Sequence, residues 1–283
     1  LLLSSEGRTI MEAARKAQMQ VSRRLFWAHM RVVLVGEKLA REGVRPLLDF
    51  LTRYRELRLT NYVLAVRGDL NEVMSAGGTM EKLPAEHLRE ISRLNVGLET
   101  TLGDFARMLA SKGGDPVMGL AELTAHTAAG PQAQSPSLGV MGVAVFHGDR
   151  LVGWLDHWDT RGLLWLRGEM KEGVVTAHLP GDAGPVAVEY RGARVRREVR
   201  VVGGRLTIYI TATAEGELVD DQAGLDLTDL AQVRLAEESI SRQVVERMQG
   251  TLERIREMQA DAAGFGELVH RQLPGVWRQL EAT

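Results

Sequence analysis

Val199-Arg200-Val201-Val202-Gly203-Gly204-Arg205-Leu206-Thr207-Ile208-Tyr209-Ile210-Thr211-Ala212-Thr213-Ala214 alternates apolar and polar residues around a Gly-Gly pair. Gly203 and Gly204 accept the positive φ angles of a two-residue primed turn, so the stretch reads as a β-hairpin. Leu206, Ile208, Ile210 and Ala212 then share one face. Upstream, Val143, Val145, Leu151 and Val152 flank His147-Gly148-Asp149, a second hairpin signal. Downstream the period changes. Over 225–258, Ile240, Val244, Met248, Leu252 and Ile255 form one helical stripe. Gly264-Phe265-Gly266 reads as a break that reorients the chain, with Phe265 as packing anchor, before a last helix carrying Leu268, Val269 and Leu273 up to Pro274. A sheet followed by helices is an α+β pattern.

The preceding half interleaves the two periods. Thr9 and Glu12 have capping-box spacing, opening a helix expected to run to about Arg24 with Ile10, Ala13, Ala14, Ala17 and Val21 on one face. Met30 to Val35 and Asn61 to Val66 read as strands. Between them lie a helical turn over Glu37–Arg41, ended by Gly43, and a helix over Leu47–Tyr54 behind Pro46. Leu83-Pro84 opens a helix with Leu88, Ile91 and Leu94; Thr101 caps another with Phe105, Met108 and Leu109. Gly113-Gly114-Asp115-Pro116 is a stop, followed by a strand over Val117–Leu123. The expected organisation is an N-terminal α/β unit over 1–68, a mainly helical region over 69–126, a linker over 127–137 rich in Ala, Gly, Pro, Gln and Ser, and a C-terminal α+β unit over 138–283. The fold class is multidomain α+β, its last unit an antiparallel or mixed sheet packed with long helices.

At 283 residues the chain exceeds one ordinary core, and 45% hydrophobic with 25% charged residues is the mix of a globular protein. No uncharged apolar run approaches the roughly 20 residues that span a bilayer. Acids number 37 against 35 bases, so no global field draws the chain to nucleic acid. Only five bases are lysines (Lys16, Lys38, Lys82, Lys112 and Lys171), which leaves arginine dominant. With no Cys, disulfides, thiolate metal sites and Cys nucleophiles are excluded within these residues.

Catalytic motifs are missing. No two of the seven histidines have the i, i+4 spacing of a zincin, and neither a Gly-x-Ser-x-Gly elbow nor a Walker A motif is present. Gly264-Phe265-Gly266 lacks the third glycine and preceding strand of a dinucleotide loop. Asp156-His157-Trp158-Asp159 invites an acid–base reading, but nothing in the sequence splits the two carboxylates into opposed environments. It reads as a turn between strands. No cofactor or metal is implied. The basic stretch Arg191, Arg194, Arg196, Arg197, Arg200 and Arg205 is more informative. On a strand, Arg194, Arg196 and Arg200 share one face, opposite Val195, Val199 and Val201. That face is either a solvated surface neutralised by Glu189 and Glu198 or a contact for anionic head groups or an acidic partner. Arg161 and Trp165 are residue types enriched in interface hot spots. They serve equally well as a core Trp with an ion-paired neighbour.

Several segments, in order, resemble one family. Glu6–Ile10, Arg24–His29, Gly36-Glu37-Lys38-Leu39-Ala40-Arg41-Glu42-Gly43, Leu48-Asp49-Phe50 and Arg55–Arg58 are similar to the N-terminal domain of the Ger(x)C spore germination proteins. Ala144-Val145-Phe146, Gly148–Gly153, Thr160–Leu166 and Asp261-Ala262-Ala263-Gly264-Phe265-Gly266 resemble its C-terminal domain. The resemblance implies several α/β domains and no catalytic residues. It implies a lipoprotein, the C subunit of a nutrient germinant receptor at the outer face of the spore inner membrane. Its partners would be an A subunit and a polytopic B subunit. The signal peptide, lipid-bearing Cys and first strands of the family pattern are expected upstream of Leu1.

Three functions follow in order of support. The first is a non-enzymatic scaffold that couples germinant sensing to germination. Its candidate partner or membrane contacts are Arg161, Trp165, Arg194, Arg196 and Arg200. A module that itself binds a sugar or amino acid comes second. An envelope enzyme using the Asp156–Asp159 cluster comes last and requires both carboxylates to face one cleft.

Overall fold

A computed structural model describes residues 3–76, 83–94, 97–124, 137–181 and 183–281. In chain order, helix α1 (Ile10–Met19) precedes strand β1 (Val32–Gly36), helices α2 (Glu37–Glu42) and α3 (Arg45–Arg53), and strand β2 (Tyr62–Val66). Helices α4 (Leu70–Ser75), α5 (Pro84–Arg93) and α6 (Leu102–Ala110) lead into β3 (Val117–Thr124), β4 (Ser137–His147) and β5 (Arg150–Leu155). Then come α7 (His157–Arg167), β6 (Gly173–His178), the long pair β7 (Pro185–Val202) and β8 (Arg205–Asp221), and helices α8 (Leu230–Glu257), α9 (Phe265–Gln272) and α10 (Pro274–Leu280).

The strands form two sheets. One has the order β1-β2-β3-β4-β5, parallel from β1 to β3 and antiparallel from β3 to β5. The other is antiparallel, with the order β6-β7-β8. Alternation on the central strands feeds two cores. Val63 and Ala65 of β2 join Ala40, Leu51, Leu102 and Phe105 of α2, α3 and α6. Leu64 and Val66 pack oppositely with Val73 of α4 and Leu88 of α5. The linker expected over 127–137 falls almost wholly outside the described residues. The strands flanking it, β3 and β4, are joined in one ladder from Val117↔Val145 to Thr124↔Ser137. The first sheet therefore draws strands from both sides of that segment.

Helix α7 lies between the sheets. A third core gathers Val143, Val145 and Leu155 of the first sheet, Leu163, Leu164, Trp165 and Leu166 of α7, Val175 and Tyr190 of the second sheet, and Ile255 of α8. The α8 stripe read from sequence (Ile240, Val244, Met248 and Leu252) packs against the same core. Gly162 makes the α7–α8 crossing possible. A Cβ there would come within 2.1 Å of Thr251 Oγ1 and 2.9 Å of the Arg247 carbonyl oxygen.

The structure departs from the sequence reading in several places. Helix α1 stops at Met19 rather than near Arg24 and carries no buried residue. The Gln18 amide holds the following loop, donating to Arg23 O at 2.9 Å and accepting from Leu25 N at 2.7 Å. Asp156-His157-Trp158-Asp159 is a helix start, not a turn between strands: the Asp156 side chain accepts from Asp159 N at 2.9 Å and caps α7. That helix has no amphipathic period to read because it is buried on most of its circumference. Pro274 does not end the last helical segment but opens α10. The Gly-Gly hairpin is as read, with Gly203 at φ 56° and Gly204 at φ 77°, although both strands run far longer than the alternating core suggested.

Helix α6 begins with a reciprocal capping box between Thr101 and Asp104. Burial pushes the Asp104 carboxyl up, but hydrogen bonds from the Thr101 hydroxyl and backbone and from Arg107 outweigh it and hold its pKa below the ordinary value. Its stabilising effect is therefore complete above the unfolded pKa of about 4 and is lost as pH falls through the lower folded value. Asp104→Asn is expected to cost about 1 kcal/mol near pH 7, and that difference should shrink toward zero in acid when denaturant melts are compared across pH. Two glycines test the helix crossing. Gly162→Ala should destabilise by about 1–3 kcal/mol. Gly250→Ala in α8, with no atom within 4 Å of its would-be Cβ, should stabilise by about 0.5–1 kcal/mol. Opposite signs in calorimetric melts are the expected result.

Candidate functional site

The segment Asp261–Gly266 binds three distant parts of the chain. Gly264, at φ 69°, turns the backbone into α9, and the Asp261 carboxylate accepts from Phe265 N at 2.9 Å and Gly266 N at 2.6 Å. Phe265 packs onto the third core, the anchoring role expected of it. The loop Gly113-Gly114-Asp115 fits directly against this turn. A Cβ at Gly266 would lie 2.3 Å from Gly113 O, and one at Gly113 would lie 2.4 Å from Gly266 C. Asp115 is the junction. Its carboxylate accepts from Asp261 N at 2.8 Å and Gly148 N at 2.8 Å, and its own N donates to Asp261 O at 3.0 Å. Burial raises the Asp261 pKa, and the nearby Asp115 charge adds to the rise. Two arginines hold the turn's carbonyls. Arg167 Nη1 donates to Ala262 O at 2.8 Å and Arg197 Nη1 to Ala263 O at 3.0 Å.

The β4–β5 turn continues the chain of contacts. Asp149 O accepts from Val44 N at 2.9 Å, and a Cβ on Gly43 (φ 129°) would lie 3.0 Å from the Asp149 carboxylate. The segments 36–43, 146–153 and 261–266, far apart in sequence, are thus linked through Asp149 and Asp115 by backbone hydrogen bonds and close glycine contacts.

The basic face is arranged along β7. Arg194, Arg196 and Arg200 are exposed on one side of the strand. Glu198 sits between Arg196 and Arg200, pairs with both (2.6 Å to Arg200 Nη2), and has its pKa lowered chiefly by the Arg200 hydrogen bond. Arg200 also lies 5.0 Å over the Tyr209 ring. Arg197 points the other way. Burial, then the neighbouring Arg167 charge, lowers its pKa, as expected for a guanidinium held inside by carbonyls. Arg161 and Trp165 belong to the interior. Trp165 is 3% exposed, with its ring 5.5 Å from Tyr190, and Arg161 Nη2 donates to Tyr190 Oη at 2.8 Å. Burial takes Trp165 out of the surface a partner could touch, which leaves Arg194, Arg196 and Arg200 together and Arg161 apart from them.

The Asp156–Asp159 pair is tied to the start of α7 and to Arg254. Asp156 caps α7, while Asp159, its pKa raised first by burial and then by the Asp156 charge, forms an ion pair with Arg254 Nη1 at 2.8 Å. Both carboxylates converge on Arg254 rather than on an open cleft. Among the described residues no group of three His, Asp or Glu side chains could hold a metal ion. A cleft of about 520 Å³ opens between α6 and the end of α7, lined by Glu99, Thr100, Asp104, Arg107, Arg161 and Glu172 among others.

Residues 2–123 match the model of the family described as spore germination protein N-terminal domain, and residues 141–283 match that of the spore germination B3/GerAC-like C-terminal domain. The chain belongs to the Ger(x)C family of spore germination proteins. It is 28% identical over 262 residues to the putative spore germination protein YfkR of Bacillus subtilis (strain 168), an alignment covering 93% of this chain and 68% of that one. It is 26% identical to spore germination protein KC of the same organism, over 99% of this chain and 72% of that one. Spore germination protein B3, also from this organism, is 25% identical over 78% of this chain and 58% of its own length. The crystal structure of the GerBC protein shares the fold, with a TM-score of 0.65 at 19% identity, covering 96% of this chain and 78% of that one. The two family matches are separated by residues 124–140.

Seen in the fold, the Ger(x)C-like segments 36–43, 146–153 and 261–266 are the clasp itself. Sequence reasoning missed its centre, Asp115, because Gly-Gly-Asp-Pro reads simply as a stop. It also left Arg197 among the surface arginines. The available signal was strand parity, which puts Arg197 on the Val195 and Val199 face. Asp115→Ala should leave the Gly148 and Asp261 amides unpaired and cost at least about 2 kcal/mol. A melting midpoint lowered by several degrees, with faster hydrogen exchange at 261–266 and 148, is the expected outcome.

Proposed function

We propose that this Ger(x)C chain is a non-enzymatic subunit of a spore nutrient germinant receptor, a scaffold that couples germinant sensing to germination. What carries the reading is that family membership extends over both halves of the chain while three of the family-like segments, 36–43, 148–153 and 261–266, are spent on internal clasping. The charged clusters that could have served chemistry, Asp156–Asp159 and Asp115–Asp261, are bound to a cap, an arginine and backbone amides. In this reading its partners are an A subunit and a polytopic B subunit. Its place is the outer face of the spore inner membrane, held by an acyl chain on a Cys outside these 283 residues. One acyl chain gives only marginal binding, so a second contact is needed. The exposed Arg194, Arg196 and Arg200 face supplies it.

Spores lacking the gene and its paralogues are expected to lose their response to at least one nutrient, and the wild-type gene should restore it. A normal response to every nutrient would remove the receptor reading. For the arginine face, sedimentation with vesicles rich in anionic lipid is the direct measurement. Each base near such a surface contributes about 1 kcal/mol, so replacing all three by Ser should weaken partitioning by about 100-fold. Unchanged partitioning would take the face out of the membrane contact.

A second reading, a module that binds a small zwitterion such as an amino acid, is favoured by the mixed charge lining the 520 Å³ cleft. Calorimetry against a germinant panel decides it: heat with one member that disappears in Arg107→Ala supports binding there, and silence with all of them sinks it.

A further inference from the structure

Strand β8 ends its sheet without the protection that such edges normally carry. In the order β6-β7-β8 it has a strand on one side only, and it is 17 residues long. The opposite edge, β6, has six residues and packs against α8. Natural edges are kept from pairing by charge, proline, bulges or shortness. From Leu206 to Ala214, β8 has no charged residue, proline or glycine and is rich in Thr and Ile. Its register with β7 is unbroken from Arg205 to Thr213; opposite Ala214 the extra residue lies on β7, between Arg191 and Arg194, and β8 has its own irregularity later, at Val219. From Arg205 to Thr213 it is a regular, open template.

Its side chains also complement themselves. Pairing with β7 assigns the two faces: Ile208, Ile210 and Ala212 lie with Val199, Arg197 and Val195, whereas Thr207, Tyr209, Thr211 and Thr213 lie with Arg200, Glu198, Arg196 and Arg194. On the outer face charge is polarised along the hairpin. Arg194, Arg196, Arg200 and Arg205 occupy the turn end, where the one acid is Glu198, and Glu189, Glu215 and Glu217 the other, where the one base is Arg191. An antiparallel pair of identical strands centred on Thr211 matches residues of equal parity, so outer faces outer and inner faces inner. In that register Arg205 stands opposite Glu217 of the second copy, twice by symmetry, and Thr207 opposite its Glu215. The turn end of each copy thereby meets the acidic end of the other. On the inner face, Ile208, Ile210 and Ala212 border a groove of about 650 Å³ whose far wall is Val244, Val245 and Met248 of α8.

We infer that β8 is a homodimerisation edge: two copies of this chain join their three-stranded sheets into one six-stranded sheet through antiparallel β8–β8 pairing about Thr211. A symmetric dimer of this kind is isologous, with each charge pair made twice. The inference is separate from the receptor reading, since a monomeric chain would sink the pairing and leave that reading standing.

Sedimentation equilibrium of the 283-residue chain over several hundredfold in concentration should show mass rising from one chain to two. Arg205→Glu and Glu217→Arg are substitutions at exposed sites. Each alone places like charges opposite at two symmetric positions and should weaken the dimer about tenfold. The double swap on one chain re-forms both pairs and should restore it. Amide exchange at 207–215 should slow as concentration rises, and circular dichroism with thermal melts confirms that each variant is folded. A single-chain mass throughout overturns the inference. So does a dimer whose double swap is as weak as the two single swaps combined.

Discussion

The crossing of α7 and α8 is the constraint on which the rest of the molecule depends. Gly162 lets the two helices approach to a distance that no side chain at that position would allow, with Thr251 filling the place of a Cβ. That contact fixes α7 between the two sheets, so Leu163 to Leu166 are buried from several directions at once. Close packing of this kind transmits displacement rather than absorbing it. A shift of α8 by a side chain's width would have to move Trp165, Tyr190 and the whole of the second sheet with it.

The second constraint is polar. Asp115 and Asp261, both partly buried, are held close together because backbone amides fill their acceptors. The two acids and their donors come from the α6–β3 loop, the β4–β5 turn and the start of α9. A buried carboxylate with its acceptors filled rigidifies, and one left unmatched is costly. Three of the segments by which the chain resembles its family, 36–43, 148–153 and 261–266, lie where this network needs a glycine's clearance or a carboxylate's acceptors. The surfaces proposed for neighbours are the arginine face of β7 and the open edge of β8, both on the same hairpin. A domain held rigid by its interior and presenting one exposed β-ribbon is suited to docking.

Much of this was readable in the residues. Gly203-Gly204 announced its hairpin, Thr101 its cap, and Ile240 to Ile255 the buried stripe of α8. Each is local: the turn needs positive φ, the cap an oxygen, the stripe a period. The failures share a cause. Helix α7 has no polar face to mark its period, so Asp156 looked like a turn residue rather than a cap. Trp165 and Arg161 were legible as important types, but their side of the surface depends on Tyr190, which lies 25 residues beyond Trp165. Asp115 looked like punctuation because its partners, Gly148 and Asp261, are 33 and 146 residues away.

The sequence by itself determined the Gly-Gly hairpin, the Thr101 cap, the α8 stripe and the alternation that puts Arg194, Arg196 and Arg200 on one side of a strand. Hydrogen bonds and periodicities within a few residues suffice for that. Only the tertiary structure decided that β3 and β4 join both halves of the chain in one sheet, that Trp165 is core and Arg197 internal, and that β8 stands at an edge. Those outcomes depend on which distant segments come to lie side by side, and no periodicity within a single segment encodes its neighbour.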